Sequence, residues 1–368
     1  MTILFLSNSF GALANFRYEF ILRLRTENQK VFLCFPFGEN TEKLDGTGCQ
    51  YINIPMTRAG TNPFQELKLI NAYRKIIHTV SPDIIFSYTI KPNIYGGLAA
   101  QTEHVHIVQS VTGLGTALEN RGPLRTITTF LYQKACKNSQ RVFCQNDEIM
   151  KYFQRHNIGT KHLARIAGSG VNLDHFKYLT YPNRDTIDFL FVARIRKEKG
   201  INQYLEAAKQ IKQRYPKTVF HVVGFCDDDA YLPVLTKMQD EGIILYHGAQ
   251  KDMLEFQQIN CCTIHPTFYP EGMSNVLLES AACGRPIITT NRSGCREAIE
   301  DGVTGFICKQ QDTQNLVSKI EKFLNLSWEQ RKAMGLAGRA KMEREFDRRL
   351  VVQAYWEEIQ RVLGDTDV

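Results

Sequence analysis

Two carboxylates separated by seven residues, Glu271 and Glu279, lie in Tyr269-Pro270-Glu271-Gly272-Met273-Ser274-Asn275-Val276-Leu277-Leu278-Glu279. The stretch follows the apolar run 262–265 and leads into a helical pattern. Ser274 suits the N-cap, where its side chain would accept a backbone N–H. The N–H groups of Asn275, Val276 and Leu277 would then face outward at a helix start, where an anion is favoured. Carboxylates beside such an anion are repelled unless hydroxyl donors lie between them. A ligand built as sugar, diphosphate and ribose would satisfy every group. The alternative is a capped helix with two solvated acids.

A second cluster supplies cations. In Phe191-Val192-Ala193-Arg194-Ile195-Arg196-Lys197-Glu198-Lys199-Gly200, Arg194 leaves the end of an apolar run and Lys199-Gly200 opens the next helix. Arg194 and Lys199 can neutralise a diphosphate and stabilise it as a leaving group, in place of a metal. Arg196 and Lys197 fit an exposed basic loop. Asp227-Asp228-Asp229 also matches an Asp-x-Asp pattern for a divalent ion on a diphosphate, although acids before a helix at Ala230-Tyr231-Leu232 are favoured by the dipole alone. The expectation is no metal and no required cofactor. His265, before Pro266, reads as structural or as a minor contact.

These residues need strand ends to hold them. Short apolar runs alternate with helical patterns along the 368 residues. Strands are expected at Ile3–Ser7, Val31–Phe35, Tyr51–Ile54, Ile84–Ser87, His106–Ser110 and Val142–Gln145. A second set falls at Phe189–Ala193, Val219–Val223, Ile243–Tyr246, Cys262–His265 and Pro286–Thr290. The clearest helix, 64–80, puts Leu67, Ile70, Tyr73, Ile77 and Val80 on one face, with Pro63 in its first turn. Others are expected at 200–214, 229–241, 274–283 and 312–325. The tail 327–363 reads as two helices broken near Phe346-Asp347. Continuous apolar strands alternating with helices imply parallel sheets covered on both faces. The expected class is α/β, two Rossmann-like domains facing a deep cleft: 1–168, 169–346, and a terminal helix 347–368 that could pack back on the first. Gly168 and Gly170 mark the hinge. Ligands of such sheets bind beyond the carboxyl ends of the strands.

Composition narrows the classes. Hydrophobic residues make up 43% and charged residues 23%, a globular balance. Ten cysteines include no C-x-x-C pair, as expected of reduced thiols in a cytoplasmic protein. The first strand is too short for a signal peptide, and no run reaches the roughly 20 apolar residues of a membrane span. Residues 1–170 hold 19 Lys and Arg against 11 Asp and Glu, whereas 171–368 hold 26 against 27. The basic first half is either a solvated surface or one that meets anionic lipid or a lipid diphosphate. No dense basic stripe interleaved with aromatics points to nucleic acid.

The loop Arg194-x4-Lys199-Gly200, the element Glu271-x7-Glu279, Ser293-Gly294-Cys295-Arg296-Glu297-Ala298-Ile299 and Asp301-Gly302-Val303-Thr304-Gly305-Phe306 occur in that order. Together they resemble retaining glycosyltransferases of family four, the group 1 glycosyl transferases with the GT-B fold. Asn15-Phe16-Arg17, Arg58 with Asn62-Pro63-Phe64, and Gly113-Leu114-Gly115 look more like the bacterial enzymes that extend polyprenyl-diphosphate-linked glycans.

The resemblance implies that Arg194 and Lys199 hold the donor diphosphate, that Glu279 holds the ribose, and that Glu271 meets the transferred sugar near the reacting carbon. Gly272, Met273, Ser274, Asn275 and Val276 would line the donor site. Gly11 would admit the donor phosphate, and Gly224 and Gly248 would end strands near the base. Arg17, Thr112 and Gly113 would lie on the acceptor side. It further implies retention, a UDP-linked hexose donor (N-acetylated or related), a lipid-linked saccharide acceptor, and peripheral attachment to the inner face of the membrane. Two departures stand out. Gln109-Ser110-Val111-Thr112-Gly113 carries no His where many relatives have one, and Thr112 replaces an acid found in a closer subset. A two-domain nucleotide-sugar epimerase and a non-catalytic nucleotide-sugar binder share the architecture.

Overall fold

The structure, a computed structural model, describes residues 1–38, 44–57 and 62–365, without the side chains of residues 116 and 365. Arg58 lies outside the described residues. The chain divides into two compact units, Met1–Ser169 with Arg349–Val368, and Gly170–Arg348.

The first unit is a seven-stranded sheet built from β1 (Thr2–Leu6), β2 (Lys30–Phe35), β3 (Gln50–Asn53), β4 (Ile84–Tyr88), β5 (His106–Val111), β6 (Arg141–Cys144) and β7 (Leu163–Arg165). The strand order is β3-β2-β1-β4-β5-β6-β7, with every pairing parallel. Ile3, Leu4, Phe5 and Leu6 are all fully buried, which requires cover on both faces.

One face is covered partly by the last helix, Arg348–Asp365. Its Val351, Tyr355, Ile359 and Val362 are buried at helical spacing among Phe5, Phe20, Phe86 and Tyr88. The Tyr355 ring lies 5.2 Å from that of Phe20 and 5.4 Å from that of Phe143, and its hydroxyl is 2.9 Å from Ser110 Oγ. Glu358 meets Arg141 at 2.9 Å.

The opposite face carries the helix Pro63–Val80. Asn62 accepts the Phe64 N–H, and Ser81 ends the helix at φ 45°. Its buried positions are Glu66, Leu69, Tyr73 and Ile77. The expected inward Leu67 is instead 59% exposed. Glu66 takes the inner face and pairs with Lys91 at 2.6 Å, which turns Leu67 outward.

The second unit contains β8 (Ile187–Val192), β9 (Thr218–Val223), β10 (Leu245–Tyr246), β11 (Cys262–His265), β12 (Ile287–Thr290) and β13 (Gly305–Cys308). The order is β10-β9-β8-β11-β12-β13, again all parallel. Winding reverses between β8 and β11, so the loops after these two strands flank the switch point. Its core gathers Phe189, Phe191, Phe220 and Val222 of the sheet with Tyr204, Ile211, Leu316 and Ile320 of the helices.

Two edge strands, β7 and β13, were not expected from the sequence. β7 has three half-exposed or exposed residues, and β13 opens with a glycine, so neither carries a clear apolar run.

Removing the Tyr355 ring is expected to show how far the last helix holds the first unit together. Tyr355→Ala should cost about 3–5 kcal/mol, as for other buried aromatics. The readout is the urea midpoint of the first unit. An unchanged midpoint would mean that the helix adds no core packing.

Candidate active site

The chain beyond β8 continues beside the chain beyond β9. The Ile195 N–H bonds the Phe225 carbonyl at 2.7 Å and the Asp227 N–H bonds the Ile195 carbonyl at 3.2 Å. This extension carries Arg194 past the sheet edge, where Nη1 meets Asp227 Oδ2 at 2.9 Å. Arg196 lies 3.9 Å from the same carboxylate and pairs with Glu198 at 2.9 Å. The close approach depends on Gly224: at φ 155°, an added Cβ would lie 1.7 Å from the Ala193 carbonyl oxygen. The Gly224 N–H bonds the Gly248 carbonyl at 2.8 Å, which ties the ends of β9 and β10 together.

The loops after β8 and β11 are joined through one carbonyl. The oxygen of Glu198 accepts the N–H groups of Phe268 at 3.0 Å and Tyr269 at 3.1 Å, and the Thr267 hydroxyl at 3.1 Å. The turn Lys197–Lys199 ends at Gly200, whose Cβ would meet the Pro266 carbonyl at 2.2 Å. These constraints bring Lys199 to Glu271, and the two form an ion pair with both side chains mostly buried. The Lys199 ammonium also lies 4.8 Å from the centre of the Tyr269 ring.

The far side of the 271–274 loop is held by the turn after β12. The Ser274 N–H bonds the Gly294 carbonyl at 2.8 Å. Glu297 fixes that turn, accepting the Gly294 N–H at 2.6 Å and the Ser293 hydroxyl at 2.9 Å. Gly294 has φ 85°, and its Cβ would lie 2.8 Å from the Gly272 carbonyl.

The helix Asn275–Ala282 starts from this loop. Ser274 occupies the N-cap, but its side chain makes no capping bond. The Leu277 N–H is also not open, because it bonds the Ser274 carbonyl at 3.1 Å in a tightened first turn. Asn275 and Val276 form the first turn of the helix, where backbone N–H groups have no carbonyl of the same helix to take them. The Asn275 side-chain oxygen is buried without a partner. Gly272 and Met273 pack inward, and Val276 is half-buried.

Glu279 follows on the same helix. Burial pushes its carboxyl up to about 7, and the positive charge of Arg348 opposes the rise. His265, at the end of β11, is buried with neither ring nitrogen bonded. Burial, reinforced by Lys199, pushes its pKa down to about 3, so the ring is neutral.

The second unit therefore assembles Arg194, Lys199, Gly224, Gly248, Glu271 and Asn275 along the carboxyl edge of one sheet. Asp227 is engaged with Arg194, and Asp228 Oδ1 accepts the Ala230 N–H at 3.1 Å. Among the described residues no group of three ligands for a metal ion occurs. The remaining expected residues lie in the first unit. Gly11 is in the first turn of the helix Phe10–Phe16 and not in a loop, because Ser9 caps that helix. Thr112 and Gly113 follow β5 and are half-buried. Arg17 is buried, not open to a ligand, with its guanidinium 4.4 Å from the Tyr88 ring centre and 5.5 Å from that of Tyr355. Tyr269 and Glu297 were assigned no part in holding the site from sequence alone, and Asp227 was weighed only as a metal ligand. Their side chains or peptide groups act on neighbours distant along the chain, which spacing does not reveal.

The family described as "Glycosyl transferases group 1" matches residues 174–341, and that described as "Glycosyl transferase 4-like" matches residues 2–146. Residues 174–341 thus carry a group 1 glycosyltransferase domain, and residues 2–146 a glycosyltransferase 4-like domain. Among its relatives is the N,N'-diacetylbacillosaminyl-diphospho-undecaprenol alpha-1,3-N-acetylgalactosaminyltransferase of Campylobacter jejuni, 28% identical with 99% of each chain covered. The capsular polysaccharide biosynthesis glycosyltransferase CapM of Staphylococcus aureus is 26% identical, covering 92% of this chain and 90% of CapM. In structure, the transferase matches Anabaena HepE, solved in complex with UDP, at TM-score 0.80 and 17% identity, covering 98% and 100% of the two chains. A Rickettsia africae glycosyltransferase matches at TM-score 0.79 and 20% identity, with 98% of each covered. The two Rossmann-like domains of the transferase are those of the GT-B fold.

In this transferase the group 1 match contains the whole Arg194-to-Glu297 arrangement. Gly294→Ala should strain the turn that holds Ser274, at a cost of about 1–3 kcal/mol. A fall of a few degrees in the thermal midpoint would register it. No change would show that Gly294 is not held at positive φ.

Proposed function

We propose that this glycosyltransferase moves a hexose, N-acetylated or related, from a UDP-sugar to a polyprenyl-diphosphate-linked saccharide in bacterial surface-glycan synthesis. Transfer proceeds with retention, without a divalent metal, and at the inner face of the membrane. The observation that carries this reading is the Lys199–Glu271 pair beside the open N-terminus of the helix Asn275–Ala282. The Campylobacter relative is named for a diphospho-undecaprenol-linked acceptor, and HepE was solved with UDP-glucose. Both support the choice of substrates.

In the proposed reaction, the donor diphosphate accepts the N–H groups of Asn275 and Val276 and draws Arg194 and Lys199 from their carboxylate partners. Glu271, released from Lys199, accepts hydroxyls of the sugar. Glu279 accepts the ribose hydroxyls. The bond from the anomeric carbon to the diphosphate breaks with its electron pair going to the diphosphate oxygen, and a bond to an acceptor oxygen forms as that hydroxyl passes its proton to the leaving diphosphate. Negative charge grows on the leaving diphosphate, where the two cations and two N–H groups are by then gathered. These fixed groups fill the place of a metal ion.

Binding of UDP, GDP, ADP and TDP with and without EDTA tests the reading. Tight UDP binding that survives EDTA is expected; binding lost in EDTA would transfer the diphosphate to a metal held by Asp227 and Asp229.

Glu271→Gln should lower kcat by roughly 100-fold, on the scale of one lost transition-state contact, while UDP affinity changes much less. An unchanged kcat would remove Glu271 from the reaction.

Glu279 adds a pH signature. Its raised carboxyl must be ionised to accept two ribose hydroxyls, so binding below about pH 7 releases a proton. Affinity for uridine, which carries no phosphate to titrate, should rise about fivefold from pH 6 to pH 7 and about twofold more above that. Glu279→Gln should flatten the curve. An identical slope in both proteins would separate Glu279 from the ribose.

A further inference from the structure

The helix Pro123–Ala135 of the first unit carries apolar residues on its outer face as well as its inner one. Leu124, Ile127 and Phe130 point outward and are 43%, 56% and 53% exposed, whereas Thr128 and Thr129 are buried. Bonds on the inner side hold this orientation. The Thr129 hydroxyl bonds the Arg125 carbonyl at 2.7 Å and lies 2.6 Å from the Tyr152 hydroxyl. Tyr132 and Ala135 pack in the core beside them. Rolling the helix to hide its apolar residues would break these contacts, so the outward stripe is a fixed feature of the fold.

Along the chain from 120 to 146 the charge has one sign. Residues 120–146 contain Arg121, Arg125, Lys134, Lys137 and Arg141 and no Asp or Glu. Arg121, Lys134 and Lys137 are exposed, while Arg125 is turned to Tyr152 with Nε 3.3 Å from its hydroxyl. The Lys134 ammonium sits 5.3 Å from the Phe130 ring centre, so its stem lies along the apolar residue and its charge reaches the rim.

We infer that this face of the helix is the surface by which the chain lies on an anionic lipid bilayer. Apolar side chains would enter the boundary between headgroups and acyl chains while the lysines and Arg121 meet lipid phosphates. The helix has 13 residues, and among the described residues no helix is long and apolar enough to cross a membrane. It therefore lies in the plane of the interface. A second copy of the chain fits the face poorly, because a symmetric contact would place its basic residues against themselves. The inference rests on the proposed lipid-linked acceptor in one respect: the helix follows β5, Thr112 and Gly113 in the chain, so docking would keep that end of the sheet at headgroup level.

Co-sedimentation of the full chain with vesicles tests it. The wild type should bind phosphatidylglycerol–phosphatidylcholine vesicles at low salt. Ile127→Ser with Phe130→Ser should lower the partition coefficient at least about tenfold. Lys134→Glu with Lys137→Glu should remove the preference over pure phosphatidylcholine. All variants should keep the wild-type thermal midpoint and UDP affinity, because the altered side chains are exposed and lie outside the donor site. Absence of wild-type binding, or equal binding by either double variant, overturns the inference. So does a lipid-free dimer that Ile127→Ser with Phe130→Ser converts to monomer. A wild type that binds vesicles but not UDP would leave this surface standing and sink the proposed donor site.

Discussion

The candidate site depends on the Glu198 carbonyl, which receives two backbone N–H groups and a hydroxyl from the loop after β11. That one oxygen joins the loops on either side of the sheet's switch point. It fixes where Lys199 leaves the chain and where Tyr269 and Glu271 stand. The remaining supports extend the same construction: Gly200 against Pro266, Gly224 against Ala193, and the Gly294 turn under Gly272. Side chains with opposite charges are thus held by backbone geometry, which needs no ligand to form.

The electrostatics explain why such a site can stay folded when empty. Lys199 and Arg194 each face a carboxylate, Glu271 and Asp227 respectively. Neither pair is fully removed from water, so exchanging a carboxylate for a phosphate costs less than it would in a dry interior. Glu279 differs. Its carboxyl has been raised by burial, with Arg348 as its opposing charge. In the proposed reaction these groups change partners when the donor arrives. The cations turn to the diphosphate and the carboxylates turn to hydroxyls.

Much of this was legible in the sequence because the chemistry sits immediately after apolar strands. Arg194 and Lys199 leave β8, and the Glu271-to-Glu279 element leaves β11, so local pattern was enough to place them. The two-unit α/β architecture followed from the same alternation. What failed was set by contacts between distant residues. Ser274 has the residue type of a cap, yet its N–H is committed to Gly294 and its side chain does not cap. Leu67 obeys helical spacing, yet the Glu66–Lys91 pair claims the inner face. Arg17 is a cation in a basic half of the chain, but aromatic rings from β4 and the last helix enclose it. β7 and β13 join their sheets as edges without an apolar run of their own.

The central claim is that Lys199, held ready by Glu271, is a cation for the donor diphosphate. Titration calorimetry of UDP and of uridine with the wild type and Lys199→Met tests it most directly. The account predicts at least a tenfold loss of UDP affinity, about 1.4 kcal/mol, with uridine affinity little changed. Equal UDP affinity in the two proteins would contradict it and leave the Lys199–Glu271 pair as a structural tie between two loops.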